Sequence, residues 1–237
     1  LFHDFSLSGK LALAVIIFFI FLALCAPLLV KQSPSVSSGP PLVPPGRHHI
    51  LGTDELGVDL WAQVCYGTRV SLLTGFLTAL LAGLGGGLIG IVSGYLGGLP
   101  DKIIMRLIDI MIVLPDLPLM IVLAAFLGPS LVTIILVLSL FYWTFPARIV
   151  RAQVLMLKNV NYIKAAETYE PGSFYLIHRH FLPELFPIVA VNIIRLTGRA
   201  IIAEAGLSFL GLGDPTSKSW GRIIHHALNF KGIFYTD

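Results

Sequence analysis

Five ionisable side chains inside the long apolar runs of this sequence are candidates for contact with a polar solute or an ion. They are Asp109, Asp116, Arg195, Arg199 and Glu204. A charged group is costly in hydrocarbon, so it is usually paired or turned toward an aqueous path. Asp116 is the most informative of the five because Pro115 and Pro118 flank it, and proline leaves backbone carbonyls without donors beside a cavity.

Simple pairing is the competing explanation for most of these charges. Arg106 precedes Asp109 by about one helical turn, which predicts an ion pair near the membrane surface. Arg195 and Arg199 share one helical face, which should meet a partner subunit or an aqueous path rather than lipid. Glu204 is placed to neutralise one of them, and we favour this structural pairing over contact with a solute.

No residue pattern typical of an active site or a metal site occurs in the sequence. It contains no Ser-His-Asp pattern, H-E-x-x-H helix or paired carboxylates in a suitable setting, so we predict no catalytic residue. The close histidine pairs are His48 with His49, His178 with His180, and His225 with His226. They lack the other ligands of a metal site, so we predict no metal and assign them interfacial or structural roles.

Gly85 to Gly90 formally satisfies the dinucleotide-binding pattern G-x-G-x-x-G, and Asp109 lies near the offset of a ribose-binding acid. That pattern needs a preceding strand, whereas these glycines lie in an apolar run. Gly86, Gly90 and Gly94 recur every four residues, which predicts a close approach of a second helix. The chain has no G-x-x-x-x-G-K-[ST] phosphate loop, so any ATP must be bound by a different polypeptide.

The composition indicates an integral membrane protein. Of 237 residues, 56% are hydrophobic and only 12% are charged, with a mean hydropathy of +0.86, whereas roughly a quarter of residues are charged in soluble domains. The formal net charge of +3 is too small to indicate a nucleic-acid partner. Cys25 and Cys65 are both interpreted as structural.

Five apolar runs have about the length of a membrane-spanning helix: 11–30, 70–95, 103–127, 131–145 and 185–207. They lack the alternation of a membrane β-barrel, so the predicted fold class is an all-α polytopic transmembrane bundle. The Pro, Ser and Gly-rich segment 33–46 is predicted to be an exposed connector. Lysines and arginines in 98–106 and 147–183 predict that these two loops face the cytoplasm, with the N-terminus inside and Ser208 onward outside.

The polar segment 162–183 lies between apolar runs and must act outside the lipid. It resembles the cytoplasmic EAA loop of permease subunits in binding-protein-dependent ABC importers, a pattern E-A-A-x-x-x-G followed by about ten residues and H-x-x-P. The positions in register are Ala165, Ala166, His180, Leu182 and Pro183. Lys164 stands where the family has Glu, and Glu170 stands where it usually has Gly, with Gly172 two residues later.

Further stretches resemble the second permease of dipeptide, oligopeptide and nickel importers. L-G-T-D-E-L-G-V-D at 51–59 is similar to the family's L-G-T-D-x-x-G-R-D, with Val58 in place of Arg. Residues 66–72 resemble Y-G-x-R-x-S-L, and residues 147–154 resemble the segment that leads into the EAA loop. E-A-G-L-S-F-L-G-L-G at 204–213 is the most specific match.

The resemblance implies a type I ABC importer permease fold in a bacterial or archaeal cytoplasmic membrane, with a sixth span expected beyond Asp237. It also implies a paralogous permease, two cytoplasmic ATP-binding subunits or domains, and an extracytoplasmic binding protein as partners. No cofactor is expected in this chain, since ATP and Mg would be bound by partner subunits. We divide the chain into a tail and first helix (1–30), an extracytoplasmic connector (31–69) and a core transmembrane domain (70–237) with a coupling loop at about 147–183.

The resemblance further implies that the EAA-like loop docks on an ATPase subunit through a short helix, which we map to about Tyr162–His178. The predicted coupling residues are Lys164, Ala165, Ala166, Glu167, Tyr169, Glu170, Gly172, Phe174, His180 and Pro183. Aromatic side chains such as Tyr169 and Phe174 could form a small apolar anchor within a polar rim. The candidate translocation path consists of Asp116, Arg195, Arg199 and Glu204.

The expected function is import of di- or oligopeptides by a non-catalytic permease subunit. Import of nickel or a metal chelate by the same machinery is the alternative within the family, because Asp116 and the basic face at Arg195 and Arg199 suit zwitterionic peptide ends and an anionic chelate alike. A secondary transporter is a more distant alternative, which would need inverted repeats and its own ion-coupling site. A membrane-bound enzyme would need a catalytic constellation that we do not find.

Overall fold

The computed structural model describes residues 6–168 and 172–229 of the chain. Within these ranges the chain is helical, and an isolated bridge between Thr53 and Asp59 is the only β-type pairing. The elements are α1 (Leu7–Leu29), α2 (Leu60–Leu96), α3 (Gly98–Val113), α4 (Asp116–Leu127), α5 (Leu131–Tyr142), α6 (Thr144–Leu157), α7 (Asn161–Thr168), α8 (Ser173–Leu176), a π-helical turn (Ile177–Phe181), α9 (Leu182–Phe209) and α10 (Trp220–Asn229). The predicted all-α fold class is therefore confirmed.

Four helical stretches of the described residues are long and apolar enough to cross a membrane: 7–29, 60–96, 131–157 and 173–209. A fifth is available if α3 and α4 count as one broken span. The polytopic helical bundle is confirmed, whereas the number of spans stays a prediction. The helices also extend beyond the predicted runs, because α2 begins at Leu60 and α6 continues to Leu157, so the first part of the predicted 147–183 loop is helical.

The third predicted span is not one continuous helix. α3 ends at Val113 and α4 begins at Asp116, and the two axes differ by 91°. Pro115 has no N–H for the helical ladder, and a proline disfavours the helical conformation of the residue before it. Leu114 accordingly has a ψ of 138°, in the extended region. Residues 103–127, which the sequence predicts as one span, thus consist of two helices with a sharp bend between them.

The described residues divide into two compact units, the first made of 6–74, 129–131 and 204–229 and the second of 75–128 and 132–203. The core of the first unit joins α1 to the start of α2 and contains Leu22, Ala26, Val30, Ala62 and Cys65. The core of the second unit contains Ile91, Val150, Val154, Ile163, Leu176, Phe181 and Leu185. This second core takes side chains from α2, α6, α7 and α9, so it fixes the short helix α7 to the long ones.

Gly86, Gly90 and Gly94 lie where α2 meets α6, as their spacing predicts. A Cβ added at Gly86 would overlap the carbonyl oxygen of Trp143, and one at Gly90 would overlap that of Ala147. Only glycine allows two helix backbones to approach this closely. Helix packing is confirmed for the repeat, and the G-x-G-x-x-G match is an ordinary helical stretch.

The end of the connector before α2 is more ordered than its composition predicts. Asp54 accepts two backbone N–H groups of its own turn and the Gln63 side-chain amide, at 2.6 to 2.9 Å. His49 Nδ1 lies 2.8 Å from Asp59 Oδ2 in a buried pair, and Asp59 also caps the first turn of α2. Residues 33–46 are mostly exposed, as predicted, but 49–59 form a hydrogen-bonded turn with a structural role.

Candidate functional site

A cavity of about 440 Å³ opens where α3 breaks into α4. The break itself lines one side, and helices α5, α6 and α9 of the same unit line the other. The lining consists of residues 111–116, Phe141, Tyr142, Thr144, Phe145 and Arg199. The bend of 91° therefore places the ends of two half-helices at one cavity.

Asp116 and Arg199 form an ion pair on the cavity wall, with Arg199 Nη2 at 3.1 Å from Asp116 Oδ2. The guanidinium lies over the Tyr142 ring at 4.9 Å from its centroid, a cation–π arrangement. The Arg199 and Asp116 side chains are 57% and 42% exposed, so their charges face open space. A charged group that enters the cavity can therefore reach both partners of the pair.

The C-terminal end of α3 also lies at this cavity. In a continuous helix the Met111 carbonyl would accept the N–H of residue 115, but Pro115 has none. The C-terminal end of a helix also carries about half a negative elementary charge. Asp116 and the end of α3 thus make one side of the cavity electronegative, whereas Arg199 makes the other side electropositive.

Two of the four candidate path residues meet in this cavity. Asp116 and Arg199 form its ion pair, whereas Arg195 is exposed on α9 and does not line the cavity. Glu204 is fully buried in the first unit, where its carboxylate accepts hydrogen bonds from two serine hydroxyls. The prediction that Glu204 neutralises one of the arginines is wrong for Arg199, which pairs with Asp116.

Glu204 is the centre of a buried hydrogen-bond network in the first unit. Ser71 and Ser208 donate to its carboxylate at 3.1 and 2.6 Å. Ser71 Oγ also accepts the backbone N–H of Trp220 at 3.2 Å, and the Trp220 indole N–H donates to Thr68 Oγ1 at 3.2 Å. The network joins α2, the end of α9 and α10, a helix that the sequence reasoning did not anticipate.

Asp101 and Asp109 on α3 both pair with arginines of α6. Asp109 bonds to Arg148, so the predicted pair with Arg106 is wrong. Asp101 receives two hydrogen bonds from Arg151, at 2.5 and 2.6 Å. These two pairs hold α3 against α6, and sequence spacing could not reveal them because the partners lie far apart in the chain.

His49 and His225 make hydrogen bonds within the fold. His225 Nδ1 lies 2.5 Å from the Phe209 carbonyl oxygen, and His49 pairs with Asp59. Among residues 6–168 and 172–229, no group of three or more His, Cys, Asp or Glu side chains could hold a metal ion.

Eight of the ten predicted coupling residues lie on α7 or on the helical segment that leads into α9. Lys164, Ala165, Ala166 and Glu167 belong to α7, Gly172 and Phe174 lie at the start of α8, His180 lies in the π-helical turn, and Pro183 lies in the first turn of α9. Tyr169 and Glu170 lie outside the described residues. We call residues 161–168 and 172–183 the coupling segment.

The coupling segment is anchored on one face and open on another. Ile163 and Phe181 are fully buried in the core of the second unit. Phe174 is 82% exposed and stacks on His178, with ring centroids 6.1 Å apart. A large exposed aromatic side chain on a polar segment is typical of an interface anchor.

A helical fold with several helices long enough to span a membrane and a cavity at a broken helix is typical of a polytopic membrane protein. Residues 86–233 match the family described as "Binding-protein-dependent transport system inner membrane component". The chain belongs to this family. The predicted resemblance to type I ABC importer permeases of the peptide family is thereby confirmed, as is a multi-pass membrane protein.

Several named permeases are similar to this chain over most of its length. The dipeptide transport system permease protein DppC of Bacillus subtilis (strain 168) is 39% identical over 230 residues, covering 93% of this chain and 71% of the relative. The probable D,D-dipeptide transport system permease protein DdpC of Escherichia coli (strain K12) is 36% identical, covering 91% and 73%. The oligopeptide transport system permease protein OppC of Bacillus subtilis (strain 168) is 36% identical, covering 93% and 74%.

Proposed function

We propose that this chain is one of two permease subunits of an ATP-driven importer for di- and oligopeptides, and that the translocation path passes the cavity at the α3–α4 break. The named relatives are dipeptide and oligopeptide permeases, which favours peptides over nickel or a metal chelate. The observation that carries the path assignment is the Asp116–Arg199 pair on the wall of a cavity between two half-helices. Broken helices at polar cavities are common solute sites in transporters.

The proposal requires three kinds of partner. A paralogous permease completes the path, two cytoplasmic ATP-binding subunits drive it, and an extracytoplasmic binding protein delivers the peptide. ATP and Mg²⁺ are bound by the ATP-binding subunits, and this chain contributes no cofactor. The assembly lies in a bacterial or archaeal cytoplasmic membrane.

The coupling segment transmits the movement of the ATP-binding subunits to the path. Ile163 and Phe181 fix this segment to α6 and α9, so a push on α7 moves these helices as a body. α9 also carries Arg199, and its displacement changes the distance from Arg199 to Asp116. Peptide affinity need only differ between the two resulting states for transport to follow.

The experiment that tests coupling replaces Phe174 with Asp. Loss of a central aromatic anchor costs about 2 kcal/mol or more, so association with the ATP-binding subunits should weaken roughly 30-fold. Copurification of these subunits with the tagged permease measures the loss. Leu56→Asp is the matched control, because Leu56 is 57% exposed and lies in the connector instead. Equal copurification with both variants would count against the coupling segment.

A further inference from the structure

We propose that the Asp116–Arg199 pair recognises the two charged ends of a free peptide. This inference rests on the proposed function, and it states which chemical groups of the peptide the translocation path binds. Without peptide, the two side chains neutralise each other. When a peptide enters, its ammonium group pairs with Asp116 and its carboxylate pairs with Arg199. The pair thus exchanges partners and no charge is left alone.

The cavity matches a zwitterion in charge and in size. On the electronegative side, the Asp116 carboxylate is an acceptor beside the C-terminal end of α3, and an ammonium group has three donors. On the electropositive side, Arg199 has a planar guanidinium held over Tyr142, and a guanidinium binds a carboxylate through two parallel hydrogen bonds. The volume of about 440 Å³ lies within the range of small-molecule pockets, so a short peptide can enter.

The site distinguishes a free peptide from one with a chemically blocked end, because the blocked peptide leaves one charged side chain of the protein without a partner. Opening the Asp116–Arg199 pair costs free energy, which a ligand offsets only by pairing with both side chains. A free peptide then replaces one ion pair by two. An N-acetylated peptide offers no ammonium group to Asp116, and a C-terminal amide offers no carboxylate to Arg199. A site built for a polar group rejects an analogue that lacks it, because the group of the protein loses its partner.

The test measures binding of three dipeptides to the purified importer complex in lipid nanodiscs, without its binding protein, by saturation-transfer NMR. The three are an unmodified dipeptide, its N-acetyl form and its C-terminal amide. With the unmodified chain, each block should weaken binding on the order of tenfold, as expected for a lost charged hydrogen bond. Asp116→Asn should remove the effect of the N-acetyl block alone, and Arg199→Gln should remove the effect of the amide alone.

Asp109→Asn is the matched control, because Asp109 forms a comparable exposed pair with Arg148 and does not line this cavity. It should retain both blocking effects, and Asp116→Glu, which keeps the carboxylate, should retain the N-acetyl effect. Failure of the blocks to weaken binding, or an unchanged N-acetyl effect in an assembled Asp116→Asn complex, overturns the inference. Peptide import by the same complex in liposomes tests the proposed function separately. Import without any effect of the blocks would overturn this inference alone, whereas no import at all would overturn the proposed function.

Discussion

Replacing Gly90 with alanine is expected to disrupt the packing of α2 against α6. The new Cβ would overlap the Ala147 carbonyl oxygen and lie 3.0 Å from Val150 Cβ and 3.1 Å from Arg151 N. Two of these atoms are backbone atoms of a packed helix, so they cannot rotate away. Alanine gains about 1 kcal/mol over glycine inside a helix, whereas overpacking costs about 1 to 3 kcal/mol and more against backbone. Because the overlapped atoms are backbone atoms, we take the upper part of that range, about 2 to 3 kcal/mol, and expect a net loss of about 1 to 2 kcal/mol.

Gly85→Ala is the matched control on the same helix, because a Cβ at Gly85 meets no atom within 4 Å. It should gain the helical preference of alanine without the overlap. The assay heats the purified importer complex and follows the fraction that remains intact by size-exclusion chromatography. Gly90→Ala should lower the midpoint by several degrees, at about 2 to 4 °C per kcal/mol, and Gly85→Ala should not. Equal or higher stability of Gly90→Ala would refute the assigned packing.

Two further outcomes follow from the first unit. Trp220→Phe keeps an aromatic side chain, but it is smaller and lacks the N–H that Thr68 accepts, so the same heating assay should show a loss of at least about 1 kcal/mol; an unchanged midpoint would contradict this role. Burial, with Lys218 and Arg222 adding to it, lowers the pKa of His226, so folding favours the neutral ring. Stability should therefore be complete above the ordinary pKa of about 6.5 and fall as pH drops through the lowered value. In the heating assay between pH 8 and pH 5, His226→Gln should reduce the loss of stability at low pH. Identical pH profiles for the variant and the unmodified chain would contradict this role of His226.

The membrane fold and the glycine packing could be predicted because both depend on local patterns. Continuous apolar runs of about the length of the bilayer predict helices wherever they occur. Gly86, Gly90 and Gly94 predict a close helix contact from their spacing alone, and the structure places α6 there.

The charge pairs could not be predicted, because the chain offers several chemically equivalent partners. Arg106 lies one turn from Asp109 in sequence, but the packing of α3 on α6 brings Arg148 to it instead. Glu204 is near two arginines in sequence, yet serine hydroxyls surround it in the fold. Tertiary packing determines which charges pair, and the spacing of residues along one helix gives no information about that packing.

The break at Pro115 could be anticipated only in part. Proline predicts a lost hydrogen bond, but it does not fix whether the helix kinks slightly or turns sharply. The bend of 91° is what makes Asp116 a cavity residue with a partner on α9. The cavity therefore forms only when several helices pack together, and no single segment of the sequence predicts it.

Uptake of a labelled dipeptide into liposomes tests the central claim most directly. The liposomes contain this chain with its paralogous permease, with or without the ATP-binding subunits, and the binding protein is added outside. We expect uptake only when the ATP-binding subunits and internal ATP are both present. Uptake driven by a proton or sodium gradient in their absence would contradict the account and indicate a secondary transporter.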